Sequence, residues 1–134
     1  MFRRWFSRKA VPLTGAPAVR RLKTYSAQSG YVYQYYYEGH RPFERARDSG
    51  VEYVFDVSAD RKTSMPVSVF LGAACLQDWE GNHARTLNST ERYAIAKMAL
   101  FQAFDERPHP DQMKLEIHVR GADIDGILAA LGLD

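Results

Sequence analysis

The spacing of apolar residues changes near residue 72, and this change constrains the fold more than any other feature. In segments 31–37, 51–58 and 65–71, apolar residues recur at every second position, which is the pattern of β-strands with one buried face. Beyond residue 72 they recur at intervals of three and four, which is typical of amphipathic helices. The sequence therefore predicts strands first and mainly helices afterwards.

The tyrosine-rich segment 31–37 is the strongest strand candidate, because aromatic and β-branched residues suit a pleated surface. Four tyrosines share one face of it: Tyr31, Tyr33, Tyr35 and Tyr37. Segment 19–27 either extends this strand or forms a separate one. Residues 60–63 have the length of a hairpin loop between the next two strands. Pro66 lacks a backbone N–H, so we expect it at a strand start, an edge or a bulge.

The clearest helix follows Asn88, which has capping-box spacing with Glu91. Its apolar residues cover more than one stripe, so we expect it at the centre of the core, and Pro108 and Pro110 end it. The main stripe consists of Tyr93, Ala96, Leu100, Ala103 and Phe104.

Three shorter elements complete the second half of the chain. We predict a helix over 73–79 that Gly81 and Asn82 stop, a fourth strand over 113–119, and a last helix over 123–131 capped by Asp123. The predicted order is β-β-β-α-α-β-α. It favours an α+β fold in which an antiparallel meander of three to four strands packs against a central amphipathic helix.

Length and charge divide the chain into an arm and one domain. Its 134 residues suit a single core, and segment 12–18, with two prolines and a glycine, reads as a linker. We therefore assign residues 1–18 to a basic amino-terminal arm and linker, and residues 19–134 to a single α+β domain. Residues 1–37 hold seven bases and no acid, whereas the remaining 11 bases stand against all 16 acids, a net charge of −5.

The basic arm suggests a non-enzymatic binding or assembly protein that contacts an acidic partner, such as nucleic acid, a ribonucleoprotein or an acidic protein surface. The predicted partner-binding residues are Arg3, Arg4, Trp5, Arg8, Lys9, Arg20, Arg21 and Lys23. Phe2, Trp5 and Phe6 would share one face of a helical arm, which leaves attachment to a membrane surface open. A cleaved organelle-targeting segment, a solvated tail and an arm folded onto the acidic body also remain open.

The tyrosine strand itself has two interpretations. We favour a role within the sheet, because no RNP-type motif accompanies the tyrosines. If the strand were exposed, its tyrosines would stack nucleic-acid bases beside Arg20, Arg21 and Lys23, or the strand would pair edge to edge in a homo-oligomer.

No segment has the length and apolarity of a spanning helix, which needs about 20 residues. The longest apolar stretch, 93–104, is interrupted by Lys97 and Gln102. The amino-terminal charges are not followed by the apolar run of a signal peptide, and a lone cysteine fits a reducing compartment. We therefore expect a cytoplasmic protein, with the mitochondrial matrix as the alternative if the arm is a targeting segment.

Motifs of catalysis, cofactor binding and metal binding are absent. The sequence contains no nucleophile elbow, Walker-type loop or dinucleotide fingerprint, so we predict no enzyme activity or cofactor and identify no small-molecule substrate. An enzyme would need a concave site assembled from residues distant in sequence, an alternative that stays open. No two histidines lie four residues apart, and segment 105–111 reads as a solvated turn, so no metal site is expected. Cys75, between Ala74 and Leu76, reads as a core residue.

Overall fold

The computed structural model describes residues 11–132, in which one five-stranded sheet packs against three helices. The strands are β1 (Lys23–Ser26), β2 (Val32–Arg45), β3 (Asp48–Ser58), β4 (Met65–Gly72) and β5 (Ile117–His118). The helices are α1 (Ala73–His83), α2 (Ser89–Glu106) and α3 (Gly121–Ala130). The strands lie in chain order, antiparallel from β1 to β4, while β5 pairs parallel with β4. The predicted α+β fold with an antiparallel meander is confirmed.

The tyrosine face of β2 turns toward the helices, which confirms its interpretation as a structural element. Tyr33 and Tyr35 are buried, and the Tyr33 ring stacks on Phe104 of α2 with 4.2 Å between ring centroids. Such a pair adds about 0.5–1.5 kcal/mol to the stabilisation from burial alone. Segment 19–27 forms a separate strand, β1, but only over Lys23–Ser26. Pro66 is the second residue of β4, close to the predicted strand start.

Helix α2 is the central helix, as predicted. The Asn88 side chain accepts a hydrogen bond from Glu91 N at 2.8 Å, and the Glu91 carboxylate accepts one from Asn88 N at 3.0 Å. The capping box is therefore formed in both directions. Leu100 and Phe104 are fully buried, and each such side chain contributes about 1.5–3 kcal/mol by leaving water.

The predicted fourth strand over 113–119 is wrong for most of its length. Residues Pro110–Lys114 form a short 3-10 helix, and strand pairing is limited to the two residues of β5. The cause is the Arg107 guanidinium, which donates hydrogen bonds to the carbonyls of Gln112, Leu115 and Glu116 at 2.8–3.1 Å. Those carbonyls are bound by a side chain, so they do not join a strand ladder.

Two predicted helix boundaries also differ. Helix α3 begins at Gly121, and Asp123 lies in its first turn, where it accepts a hydrogen bond from Arg120 Nε at 2.8 Å instead of capping the helix. Helix α1 continues through Gly81 to His83, whose ring stacks on Trp79 with 4.1 Å between centroids. This contact extends the helix by one turn beyond the predicted end at residue 79.

Candidate binding site

A β-bulge in β2 brings Tyr37 and His40 to the same face of the sheet. The pairing of β2 with β3 shifts register between Tyr37 and Gly39, and Gly39 has a φ of +124°. The tyrosines at odd positions face the helices before the bulge, and His40 does so after it. As a result, Tyr37 Oη and His40 Nδ1 lie 2.9 Å apart in a hydrogen bond.

Residues 13–17 lie against the bulge, although the sequence suggested a linker there. Thr14 and His40 exchange two backbone hydrogen bonds of 2.9 and 2.8 Å. Gly15 packs on the His40 ring so closely that a Cβ at residue 15 would lie 2.5 Å from Cε1 of the imidazole. The segment therefore forms one wall of the space between β2 and α2.

The space beside His40 is a cavity of about 500 Å³, which we call the tyrosine cavity. Its principal lining residues are Gly15, Tyr37, His40, Tyr53, Arg92 and Tyr93. The Tyr37 and Tyr93 rings are 4.7 Å apart, so aromatic surface forms much of the wall. Its lining contains one arginine and no carboxylate.

The tyrosine hydroxyls of this cavity are neutral hydrogen-bond donors at physiological pH. Burial raises the pKa of Tyr37, Tyr53 and Tyr93, and for Tyr53 the positive charge of Arg92 offsets part of this effect. The Arg92 Nε atom is buried and has no hydrogen-bond partner within residues 11–132. The nearest carboxylate paired with Arg92 is that of Glu80, whose Oε2 lies 3.7 Å from Nη2. The guanidinium that lines the cavity therefore has one long ion pair and one nitrogen without a hydrogen bond within residues 11–132.

A second cavity of about 300 Å³ adjoins the first and shares Pro17, Tyr37 and Tyr93 with it. Its remaining lining residues are Arg21, Lys23, Tyr35 and Lys97, and we call it the basic cavity. Burial lowers the pKa of Lys97, and the charge of Lys23 lowers it further. Within residues 11–132, no carboxylate lies within 4.0 Å of these three cations.

The structure separates the predicted partner-binding residues that it describes. Arg20 lies on the opposite face of the sheet, over the Tyr36 ring at 3.9 Å, with its Nη2 2.7 Å from Glu38 Oε1. Arg21 and Lys23 line the basic cavity. The other predicted residues lie outside the described part of the chain: Arg3, Arg4, Trp5, Arg8 and Lys9.

Sequence reasoning missed Lys97, Arg92 and His40 as site residues. Lys97 interrupts an apolar stretch of α2, and a charged residue at that position was the available signal. No local pattern marks Arg92 or His40, because their neighbours in the cavity come from other elements.

The remaining candidates have structural partners. Asp105 accepts hydrogen bonds from Tyr25 Oη at 2.7 Å and Gln28 N at 2.9 Å, which fixes the β1–β2 turn to α2. Burial raises the pKa of the Cys75 thiol, which lies 3.7 Å from the Val119 carbonyl oxygen.

Within residues 11–132, no group of three or more metal-binding side chains is present. The helices of this same range include none that is long and apolar enough to cross a membrane.

Comparison of the chain with known protein families, curated proteins and solved structures finds no match.

Proposed function

We propose that this is a non-enzymatic binding or assembly protein that contacts an acidic partner through its basic amino-terminal region. The supporting observation is the basic cavity, where Arg21 and Lys23 meet Lys97 with no carboxylate of residues 11–132 in ion-pair distance. Like charges held together raise the free energy of the unbound protein, and an anion placed among them lowers it. The sequence of residues 1–10 adds four further bases and no acid.

Single-stranded nucleic acid is the acidic partner that this site suits best. Proteins that bind single strands combine cations for the phosphates with aromatic side chains for the bases. The basic cavity offers both, because Tyr37 and Tyr93 line it beside the three cations. The bases of a duplex are paired and stacked on one another, so they are not free to stack on Tyr37 and Tyr93.

Fluorescence anisotropy with a labelled single-stranded RNA, titrated from about 50 to 200 mM salt, tests the proposal. We expect affinity to fall steeply with salt. The double variant Arg21→Ala/Lys23→Ala should reduce the slope of log K against log salt by about 1.4, because each phosphate contact to a single strand contributes about 0.7. Salt-independent binding, or no binding, contradicts the proposal.

A matched control distinguishes local contact from net charge. Arg47 and Lys62 are exposed and form no ion pair within residues 11–132, so Arg47→Ala/Lys62→Ala removes the same charge elsewhere. It should leave the slope nearly unchanged. The full-length variant Arg3→Gln/Arg4→Gln/Arg8→Gln/Lys9→Gln should bind RNA more weakly than the unmodified chain, because the proposal assigns the arm to the contact. An acidic peptide as a second probe tests the protein-surface alternative.

The proposal places the protein in the cytoplasm, with the mitochondrial matrix as the alternative if the arm is a targeting segment. Intact-mass measurement on protein from its own cells decides between them, because a targeting segment is removed on import. Cleavage before Arg20 would remove the four bases of residues 1–10 but leave the three cations of the basic cavity.

A further inference from the structure

The tyrosine cavity and the basic cavity differ in what they can hold. The basic cavity has three cations, whereas the tyrosine cavity has one, Arg92, amid mostly aromatic and apolar walls. A polyanion in the tyrosine cavity would lose the hydration of several charges and gain only one counter-charge. A flat apolar molecule with one negative group would instead match both the walls and the arginine.

We propose that the tyrosine cavity is a binding site for a small planar aromatic ligand that carries a single carboxylate. Its volume of about 500 Å³ lies within the range of small-molecule sites. The ligand's ring would lie against Tyr37, Tyr53 and Tyr93, and its carboxylate would accept a hydrogen bond from Arg92. It shares Tyr37 and Tyr93 with the proposed nucleic-acid contact, but Arg92 lines the tyrosine cavity and not the basic cavity.

Arg92 supplies the charge complementarity. Its Nε is buried without a partner in the described residues, and its pairing with Glu80 is long, at 3.7 Å. A ligand carboxylate in the cavity would form a charge-assisted hydrogen bond with the Arg92 guanidinium. Within residues 11–132 the one carboxylate near that guanidinium, Glu80, lies outside the cavity lining and at a long 3.7 Å.

The polar groups around Arg92 would fix the orientation of the ligand. Tyr37 Oη is already hydrogen-bonded to His40 Nδ1, so this pair forms a rigid wall. Tyr53 and Tyr93 line the cavity with neutral hydroxyls, whose pKa values burial raises. A small number of polar groups that converge within an aromatic wall is characteristic of ligand sites.

Isothermal titration calorimetry of the full chain with 2-naphthoate and its neutral isostere 2-naphthamide tests the proposal. We expect saturable binding of 2-naphthoate, at least about tenfold tighter than that of 2-naphthamide, because only the carboxylate forms the charge-assisted bond. Arg92→Gln should weaken 2-naphthoate about tenfold and leave 2-naphthamide unchanged. Equal affinities in the unmodified protein, or no saturable binding, would overturn the proposal.

Two further measurements locate the site and separate this proposal from the previous one. Arg47→Gln removes a charge in the β2–β3 turn, outside the cavity lining, and should leave the naphthoate affinity unchanged. Arg21→Ala/Lys23→Ala should weaken RNA binding but change the naphthoate affinity by less than about threefold. If Arg92→Gln does not fold, NMR contacts between naphthoate protons and the Tyr53 and Tyr93 rings decide. Contacts elsewhere on the protein would overturn the assignment.

Discussion

Tyr37 and His40 lie three residues apart on β2, yet their side chains are hydrogen-bonded, with 2.9 Å between Tyr37 Oη and His40 Nδ1. In a regular strand, side chains three residues apart point to opposite faces of the sheet. The bulge before Gly39 removes this alternation and brings both groups into the wall of one cavity. The cavity therefore depends on one local irregularity of the backbone.

Substitution of Gly39 should disrupt this arrangement. A Cβ there would lie 2.7 Å from the Thr14 carbonyl oxygen, at a φ of +124° that strains any other residue. We expect Gly39→Ala to lower the free energy of unfolding by about 1–3 kcal/mol and to increase hydrogen exchange at the Thr14 amide. Urea denaturation and hydrogen-exchange mass spectrometry measure the two effects.

Gly30→Ala provides the matched control for that substitution. Gly30 also has a positive φ, +96°, but a Cβ there meets nothing within 4 Å. Gly30→Ala should lower the free energy of unfolding only by the cost of a positive φ, about 1 kcal/mol, and leave hydrogen exchange at the Thr14 amide unchanged. A loss for Gly39→Ala no larger than that for Gly30→Ala would contradict the proposed contact with Thr14.

Tyr33→Phe should leave stability unchanged or raise it by about 1 kcal/mol. The Tyr33 side chain is fully buried, and its hydroxyl has no hydrogen-bond partner within residues 11–132, so its removal relieves a desolvation cost. Tyr25→Phe is the control, because the Tyr25 hydroxyl donates to Asp105 Oδ2 at 2.7 Å and its loss should cost about 1.5 kcal/mol. Urea unfolding gives the free energy of unfolding of each variant. A larger loss of stability for Tyr33→Phe than for Tyr25→Phe would disprove the prediction.

Removal of the α2 cap should cost about 1 kcal/mol. Asn88→Ala removes the side-chain oxygen that accepts a hydrogen bond from Glu91 N, so this backbone N–H of the first turn loses its partner. Ser89→Ala, one residue further and exposed, should change stability by less than about 0.5 kcal/mol. Thermal unfolding followed by circular dichroism compares the two, and equal effects would argue against the capping role.

The Arg45–Glu116 pair should make stability depend on acidic pH. The hydrogen bond from Arg45, together with a smaller effect of His118, lowers the pKa of Glu116 from its ordinary 4.5 to about 2. Because the folded-state pKa is the lower one, the stabilisation is fully present above pH 4.5 and is lost as the pH falls toward 2. The effect is modest, since both side chains are nearly half exposed.

Arg45→Gln should reduce this loss of stability between about pH 5 and pH 2, as measured by urea midpoints across the range. A residual slope is expected, because backbone hydrogen bonds from Thr63 and Lys62 also lower the pKa of Asp60 to about 2. Arg47→Gln should retain the full slope. If Arg45→Gln retained it as well, the pairing with Glu116 would not stabilise the fold.

The parts of the fold that depend on neighbouring residues were predictable from sequence. The capping box of Asn88 and Glu91 is a contact within one helical turn, and the tyrosines of β2 follow the alternation of a single strand. Segment 113–119 shows the limit of this reasoning. Its alternation resembles a strand, but Arg107 binds its carbonyls, and a side chain's choice of backbone partner leaves no periodic signal.

The candidate site was predictable only in part. The sequence identified Arg21 and Lys23 but grouped them with Arg20, which pairs with Glu38 on the other face. Arg20 and Arg21 precede β1, so no strand alternation separates them in the sequence. The tyrosine cavity was not predictable, because it requires a bulge at Gly39 and a backbone bridge between Thr14 and His40, which are 26 residues apart in sequence.

The parallel strand β5 has a consequence for the order of folding. Phe70 pairs with His118 across a long stretch of chain that includes α1 and α2, whereas every other strand pair of the sheet joins neighbours in sequence. The entropy of closing so long a loop is lost before the two-residue strand returns any contact. The meander can therefore form while the chain is still being synthesised, and β5 and α3 dock only onto a finished β4.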